Sequence, residues 1–255
     1  MKQNEIISPK NDYIKSICRL HTSAGRRESG LFLVEGHKLC HEILRSNWEI
    51  VQCLVTQKES NKPFFEKYNG DITYISEAVS QKISTMDTAP GIYLIVRQKQ
   101  DTEREIPKQV LALDHIADPT NLGAILRSAE AFGVELVYLS EGCVDIYSPK
   151  VLRAAMGSAF RVPFRYGSLE AFLTQQKEDQ KIIYGAGLDR NYKELPDISF
   201  DHPSVVVIGN ESNGISARIM DLCDQGLFIP MLGENESLNA AVAASIILWE
   251  QSKWK

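Results

Sequence analysis

The sequence predicts a two-domain α/β protein, and three observations carry that expectation. Short β-branched and apolar runs alternate with segments of helical periodicity along most of the chain. A polar, charged stretch, RQKQDTEREIPK from Arg97 to Lys108, has little to bury and interrupts the alternation once. Further on, Val205 to Ile208 is a continuous β-branched run cut off by Gly209, as a buried strand of an open α/β sheet should be. A small α/β domain is therefore expected at 1–97, a linker at 98–108 and a second α/β domain at 109–255.

In the first domain the pattern reads as an amphipathic helix from Ile14 to Leu20, then HTSAGRRESG as a turn that exposes Arg26 and Arg27. Strands follow at Leu31–Val34, Ile50–Val55, Ile72–Ile75 and Gly91–Val96, with helices at Glu35–Arg45, Lys62–Tyr68 and Glu77–Ile83 between them. The second domain opens with a strand from Val110 to Asp114. Pro119 then starts a turn, Thr120 or Asn121 caps, and Ala124 to Phe132 forms a helix closed by Gly133. Strands at Leu136–Leu139, Lys181–Ala186, Val205–Ile208 and Gly226–Pro230 lead to a final alanine-rich helix, capped by Ser237, with Asn239 in its first turn.

Composition narrows the function. With 255 residues, 44% hydrophobic and 24% charged, the chain has the make-up of a soluble globular protein. No apolar run reaches the roughly 18 residues a bilayer span requires, and the polar start MKQNEIISPKND has no signal-peptide core. A cytoplasmic protein with no membrane partner is expected. Five scattered cysteines without CxxC spacing indicate neither a disulfide framework nor a zinc ribbon. His37, Cys40 and His41 share one side of a helix, but packing after LFLVEG explains that helix, so no metal is expected.

A net charge of -5 argues against indiscriminate coating of nucleic acid. Positive charge is instead concentrated between Lys10 and Arg45, where seven basic residues face four acidic ones. Arg26 and Arg27 in an exposed loop there are candidate phosphate contacts.

The chemistry-bearing residues lie at strand ends. Ligands of open α/β sheets bind in the crevice outside those ends. Two polar, glycine-containing loops supply Asn210, Glu211, Ser212, Asn213, Ser237 and Asn239. These groups hydrogen-bond and position a ligand; they offer neither a metal cage nor a nucleophile with its base. Asn121 and Arg127 approach one another only if Asn121 lies in the loop before its helix and Arg127 leans back toward it. An arginine fork so aimed suits a phosphate. GAG after the Lys181–Ala186 strand lacks the third glycine of a dinucleotide loop, which disfavours a nicotinamide enzyme.

Taken together, DPTNLGAILRSAEAFGV, then GNE, then IPM followed by SLNAAVAAS resemble the three motifs of the SpoU family of RNA ribose 2′-O-methyltransferases, in the SPOUT superfamily. KSICRLHTSAGRRESGLFLVEGHKLCHEIL resembles the L7Ae-like RNA substrate-binding domain that precedes many SpoU catalytic domains. The resemblance covers nearly the whole chain. It implies a parallel α/β sheet with a trefoil knot, a homodimer, and methyl transfer from S-adenosylmethionine, giving S-adenosylhomocysteine, to RNA, ribosomal by preference.

By the same resemblance Arg127, Asn121, Glu211, Ser237 and Asn239 form the catalytic group. Gly209, Ile229, Leu238 and Ala186 hold the cofactor, largely through main-chain atoms, and Arg153 and Ser158 of YSPKVLRAAMGSAFRVPF lie on the substrate side. Ala240 stands where the family often has valine, a change of packing rather than chemistry. The alternatives are a transfer RNA methyltransferase and a catalytically silent RNA-binding module of the same fold.

Overall fold

The computed structural model describes residues 5–60, 68, 70–99, 107–233 and 237–253 and divides the chain into two units. The first comprises residues 1–100 with 145–160, the second 101–144 with 161–255. In the first unit, β1 (Glu5–Ile6) is followed by α1 (Asp12–Arg19), α2 (Ser23–Ser29), β2 (Leu31–Glu35), α3 (His37–Leu44) and β3 (Ile50–Thr56). Then come β4 (Ile72–Ile75), α4 (Glu77–Ile83) and β5 (Ile92–Arg97). The helix expected at 62–68 lies, but for Tyr68, outside the described residues.

These strands form a mixed sheet in the order β1-β4-β3-β5-β2, with β5 antiparallel to both neighbours. Ile14 and Ile17 of α1 and Val79 and Ile83 of α4 recur at the three- and four-residue spacing of one helical face. They pack over Leu33, Leu54, Ile75, Tyr93 and Ile95 of the sheet.

The second unit contains β6 (Gln109–Leu113), α5 (Pro119–Ala131) and β7 (Leu136–Ser140), after which the chain's next helix, α6 (Pro149–Ala155), falls in the first unit. It continues with β8 (Phe164–Gly167), α7 (Leu169–Glu178), β9 (Ile182–Ala186), β10 (Lys193–Glu194) and β11 (Ser204–Ile208). α8 (Ala217–Met220), β12 (Gln225–Phe228) and α9 (Ala240–Ser252) complete it.

The seven strands run β10-β12-β9-β11-β6-β7-β8, all parallel. From β6 the chain steps outward through β7 to β8, whereas β11 inserts on the other side, between β6 and β9. The direction of winding therefore reverses between β6 and β11, which is where a parallel sheet opens a ligand crevice.

Both faces of this sheet are covered, which is why β6, β7 and β11 are buried along their whole length. Val110, Ala112, Val205 and Val207 meet Leu169 and Leu173 of α7 and Ile219 of α8 on one face. α9 lies on the other, where Gln251 Nε2 donates to Ser204 Oγ at 3.0 Å. Ser128 and Ser245 hydroxyls sit 2.7 Å apart, and Asn239 Nδ2 donates to Asn121 Oδ1 at 2.9 Å. α5 and α9 thus run side by side in the same direction, with Ala240, Ala241 and Ala244 keeping the second helix thin.

The sequence reading needs four corrections of local structure. HTSAGRRESG is largely helix, because Thr22 accepts from Gly25 N at its start and Gly30, at φ +66°, closes its end. Cap and stop signals outweigh polar composition. Arg26 is consequently not in an exposed loop: it is 3% exposed, with Nε donating to Asp145 Oδ2 and Nη1 to the Leu20 carbonyl, both at 2.7 Å. Arg27 is exposed, on the same helix.

Residues 145–160, read as part of the second domain, belong to the first unit. Tyr147 lies 4.6 Å from Phe32 between ring centroids, and Trp48 Nε1 donates to the Phe160 carbonyl at 2.9 Å. Arg153 and Ser158, expected on the substrate side, therefore lie in this unit. Arg153 Nη1 donates to Glu35 Oε1 at 2.8 Å and to Thr85 Oγ1 at 2.7 Å, and Ser158 is 4% exposed.

In the second unit, α5 begins a turn earlier than expected. Its cap is Asp118, whose Oδ1 accepts from Thr120 N and Asn121 N at 2.8 and 2.9 Å, so Asn121 is inside the helix. Asn239, not Ser237, caps α9, accepting from Ala241 N and Val242 N at 2.9 and 3.3 Å.

Candidate active site

The loop after β11, Gly209 to Ile215, folds back on itself: Asn210 and Gly214 exchange backbone hydrogen bonds, each 2.9 Å long. Gly214 has φ +68°, and a Cβ on Gly209 would lie 2.1 Å from the Gly214 carbonyl carbon. Glycine is required at both positions, once for conformation and once for space. The tip of the loop then presents Glu211, Ser212 and Asn213.

Glu211 is the centre of a hydrogen-bonded chain. Its Oε1 accepts from Asn121 Nδ2 at 2.9 Å and from Asp118 N at 3.3 Å; its Oε2 takes longer bonds, 3.4 Å each, from Ala117 N and Asn210 Nδ2. Asn121 Oδ1 accepts in turn from Asn239 Nδ2 at 2.9 Å. Three residues, one in the first turn of α5, one in the loop after β11 and one at the cap of α9, 118 positions apart at the extremes, are thereby locked in one line. Partial burial pushes the Glu211 carboxyl up, but the bonds from Asn121, its own amide, Asp118 and Ala117 outweigh that and hold it below the ordinary carboxylate value. An ionised group with its lone pairs already occupied orients neighbours; it is a poor proton acceptor.

Beside this chain lies a cavity of about 430 Å³, within the range of small-molecule sites. All four residues expected to hold a cofactor, Ala186, Gly209, Ile229 and Leu238, line it, and Glu211 and Ser237 stand at its wall. Small residues, Ala186 and Gly209, stand where β9 and β11 meet the cavity and put no long side chain into it. These features fit a small ligand recognised largely through backbone groups. Ser237 makes no hydrogen bond among the described residues.

Arg127 stands apart from the line. It lies six residues beyond Asn121 on the same helix, about 9 Å along its axis and roughly a third of a turn around it. The expected geometry, with Asn121 in a preceding loop, is not what α5 provides. Arg127 is exposed, and its guanidinium has no hydrogen-bond or ion-pair partner among the described residues.

Covalent chemistry has little support. Cys53 and Cys223 thiols are both pushed up to about 12 by burial. Among the described residues no group of three or more His, Cys, Asp and Glu side chains could hold a metal, and no helix is long and apolar enough to cross a membrane. Sequence reasoning missed Asp118 and the pair Asp114 and His115. The signal was present in LDHIADP, where two acids and a histidine directly follow a strand.

A model of the SpoU rRNA methylase family matches residues 108–249, and one of the MRM3-like substrate binding domain matches residues 11–93. The chain belongs to the SpoU rRNA methylase family. Among its relatives is the Bacillus subtilis 23S rRNA (guanosine(2553)-2′-O)-methyltransferase RlmP, 31% identical over 98% of this chain and 98% of its own. An AdoMet-bound rRNA methyltransferase from Sinorhizobium meliloti is similar in structure at TM-score 0.87 and 28% identity, covering 98% of this chain and 97% of its own. A putative RNA methyltransferase of the TrmH family from Porphyromonas gingivalis gives 0.85 and 29%, covering 96% and 99%. As a SpoU family member the chain is an RNA 2′-O-methyltransferase of the SPOUT class, with S-adenosylmethionine as methyl donor.

Proposed function

We propose that this protein methylates a ribose 2′-hydroxyl of ribosomal RNA in the crevice between β6 and β11. The observation that carries the reading is the line Asn239, Asn121, Glu211, whose Glu211 stands at the wall of a cavity lined by all four expected cofactor residues. S-adenosylmethionine supplies an activated methyl group when bound. The protein's task is to hold the sugar oxygen in line with that methyl and to stabilise the charge growing on it.

Each residue has a part in this. Gly209, Ile229, Leu238 and Ala186 present backbone atoms to the cofactor. Glu211 fixes Asn121, which fixes Asn239, and Ser237 is a hydroxyl at the cavity wall free to meet the substrate. Arg127, exposed and unpaired among the described residues, anchors an RNA phosphate near the forming alkoxide through its planar fork. Guanidinium, with a pKa above about 12, does not itself take the proton. In the amino-terminal unit Arg27 remains a phosphate contact, whereas Arg26 is committed to Asp145.

The working unit is a cytoplasmic homodimer with a knotted carboxy-terminal segment. Val242, Ile246 and Trp249 of α9 are 46%, 37% and 54% exposed at helical spacing, an apolar stripe suited to a second copy. Ile246→Asp is expected to shift sedimentation from dimer to monomer; an unchanged dimer removes α9 from the interface.

Incubation with labelled S-adenosylmethionine and separate pools of unmodified ribosomal and transfer RNA tests the function. Label in the ribosomal pool alone supports the reading. Label in transfer RNA transfers the activity to the alternative substrate, and RNA binding without label identifies a silent binding module.

A further inference from the structure

Across the parallel sheet, the cofactor cavity occupies the ends of β12, β9 and β11, and the Glu211 line bridges β11 and β6. The next position along the same edge, between the ends of β6 and β7, is filled by His115. Its main chain is tied to the site, since Asn210 Nδ2 donates to the His115 carbonyl at 2.8 Å. Its ring lies against Gly142 in the loop after β7, where any side chain at 142 would collide with it.

Three features set this histidine apart from a surface residue. Its backbone is left-handed, φ 58°, although it is not glycine. Its Nδ1 is 2.6 Å from Oδ1 of Asp114, a carboxylate that is 1% exposed, while the imidazole itself is 61% exposed. The other oxygen of Asp114 accepts from Ser216 N at 2.9 Å and Ser216 Oγ at 2.8 Å, which ties the ring to the segment that follows the cofactor loop.

In the neutral ring, with Asp114 as acceptor, the proton sits on Nδ1 and Nε2, beside Gly142, is left as an acceptor. No described residue hydrogen-bonds to Nε2. A buried carboxylate thus orients an imidazole whose other nitrogen has no hydrogen-bond partner among the described residues.

The side of the crevice matters. A hydroxyl attacking in line must approach the methyl from the side away from the sulfur, so the target nucleotide and the cofactor would occupy different parts of the crevice. The β6 and β7 side of the edge, where His115 lies, contributes no residue to the lining of the cofactor cavity.

We propose that His115, held by Asp114, contacts the substrate nucleotide directly, with Nε2 accepting a hydrogen bond from a hydroxyl or amino group of that nucleotide; this rests on the methyl-transfer reading above. The contact is one of positioning. It recognises a donor-bearing edge of the RNA, which phosphate oxygens lack.

His115→Gly tests this cleanly, because glycine accepts φ 58° and removes only the ring. His115→Asn also tolerates the left-handed backbone and keeps a shorter acceptor. Full-length wild-type and variant proteins are assayed with labelled S-adenosylmethionine and in vitro transcribed ribosomal RNA, with cofactor affinity measured separately by calorimetry.

For His115→Gly the KM for RNA is expected to rise roughly ten-fold, the worth of one hydrogen bond of the stronger kind. The kcat at saturating RNA should stay within about three-fold, cofactor affinity should be unchanged, and His115→Asn should recover part of the loss. An unchanged KM overturns the proposal. A collapse of kcat at saturating RNA overturns it in favour of a proton-accepting role, and weakened cofactor binding overturns it in favour of a structural one. Absence of methyl transfer by the wild-type protein would instead defeat the functional reading itself.

Discussion

Glu211→Gln is the substitution that isolates the carboxylate's role. Shape is preserved, but one acceptor oxygen becomes a donor in a site where every neighbour donates: Asn121 Nδ2 at 2.9 Å, Asp118 N at 3.3 Å, and Ala117 N and Asn210 Nδ2 at 3.4 Å. Only the first bond is short, and the residue is exposed, so the lost stabilisation is about 1 kcal/mol rather than the full value for a buried charged acceptor. The kinetic effect should be larger. Asn121 freed from Glu211 also loosens Asn239, and misplacement by an ångström costs on the order of 100-fold in rate.

Urea denaturation and initial-rate methylation measure the two effects separately. Because the folded-state pKa of Glu211 is lowered, its contribution to stability is present above the unfolded carboxylate value and is lost as pH falls through the lower folded one. The stability difference between wild type and Glu211→Gln should therefore shrink in acid. Wild-type turnover in Glu211→Gln, or a difference that grows in acid, would refute the positioning argument.

Other substitutions address the remaining parts. Gly209→Ala places a Cβ 2.1 Å from the Gly214 backbone; the loop must open, and calorimetry is expected to show cofactor affinity falling more than about ten-fold. Arg26→Ala leaves Asp145 without its buried partner and should destabilise the first unit by about 3 kcal/mol or more in chemical denaturation. For Arg127→Lys, charge is kept and the fork is lost, so kcat should fall at least about ten-fold with cofactor affinity nearly unchanged; near-normal turnover would remove Arg127 from the reaction.

The buried strands of both units were legible because burial writes itself into sequence: VVVI between a polar loop and Gly209 has few readings other than a covered parallel strand, whereas β1, β8 and β10, short and partly exposed, carry no such run and were not expected. Helix starts were less so. Asp118 and Asn239 both cap two or three positions away from the residues expected to do so, since Asp, Thr, Asn and Ser are chemically near-equivalent caps. Arg26 shows a deeper limit. Its partner Asp145 lies 119 positions away, and nothing local distinguishes a buried arginine from a phosphate ligand. The same holds for residues 145–160, whose place in the first unit depends on long-range pairing of Tyr147, Phe160 and Arg153. Motif order brought together Asn121, Glu211 and Asn239, but main-chain recognition by Gly209 or Ala186 has no side-chain signature at all.

The decisive measurement is where the methyl group lands. Ribosomal RNA treated with the protein and S-adenosylmethionine carrying a deuterated methyl, digested to nucleosides and analysed by mass spectrometry, should show the label on a ribose 2′-oxygen, with Asn121→Ala abolishing it. Label on a base, or equal labelling by Asn121→Ala, would contradict the account.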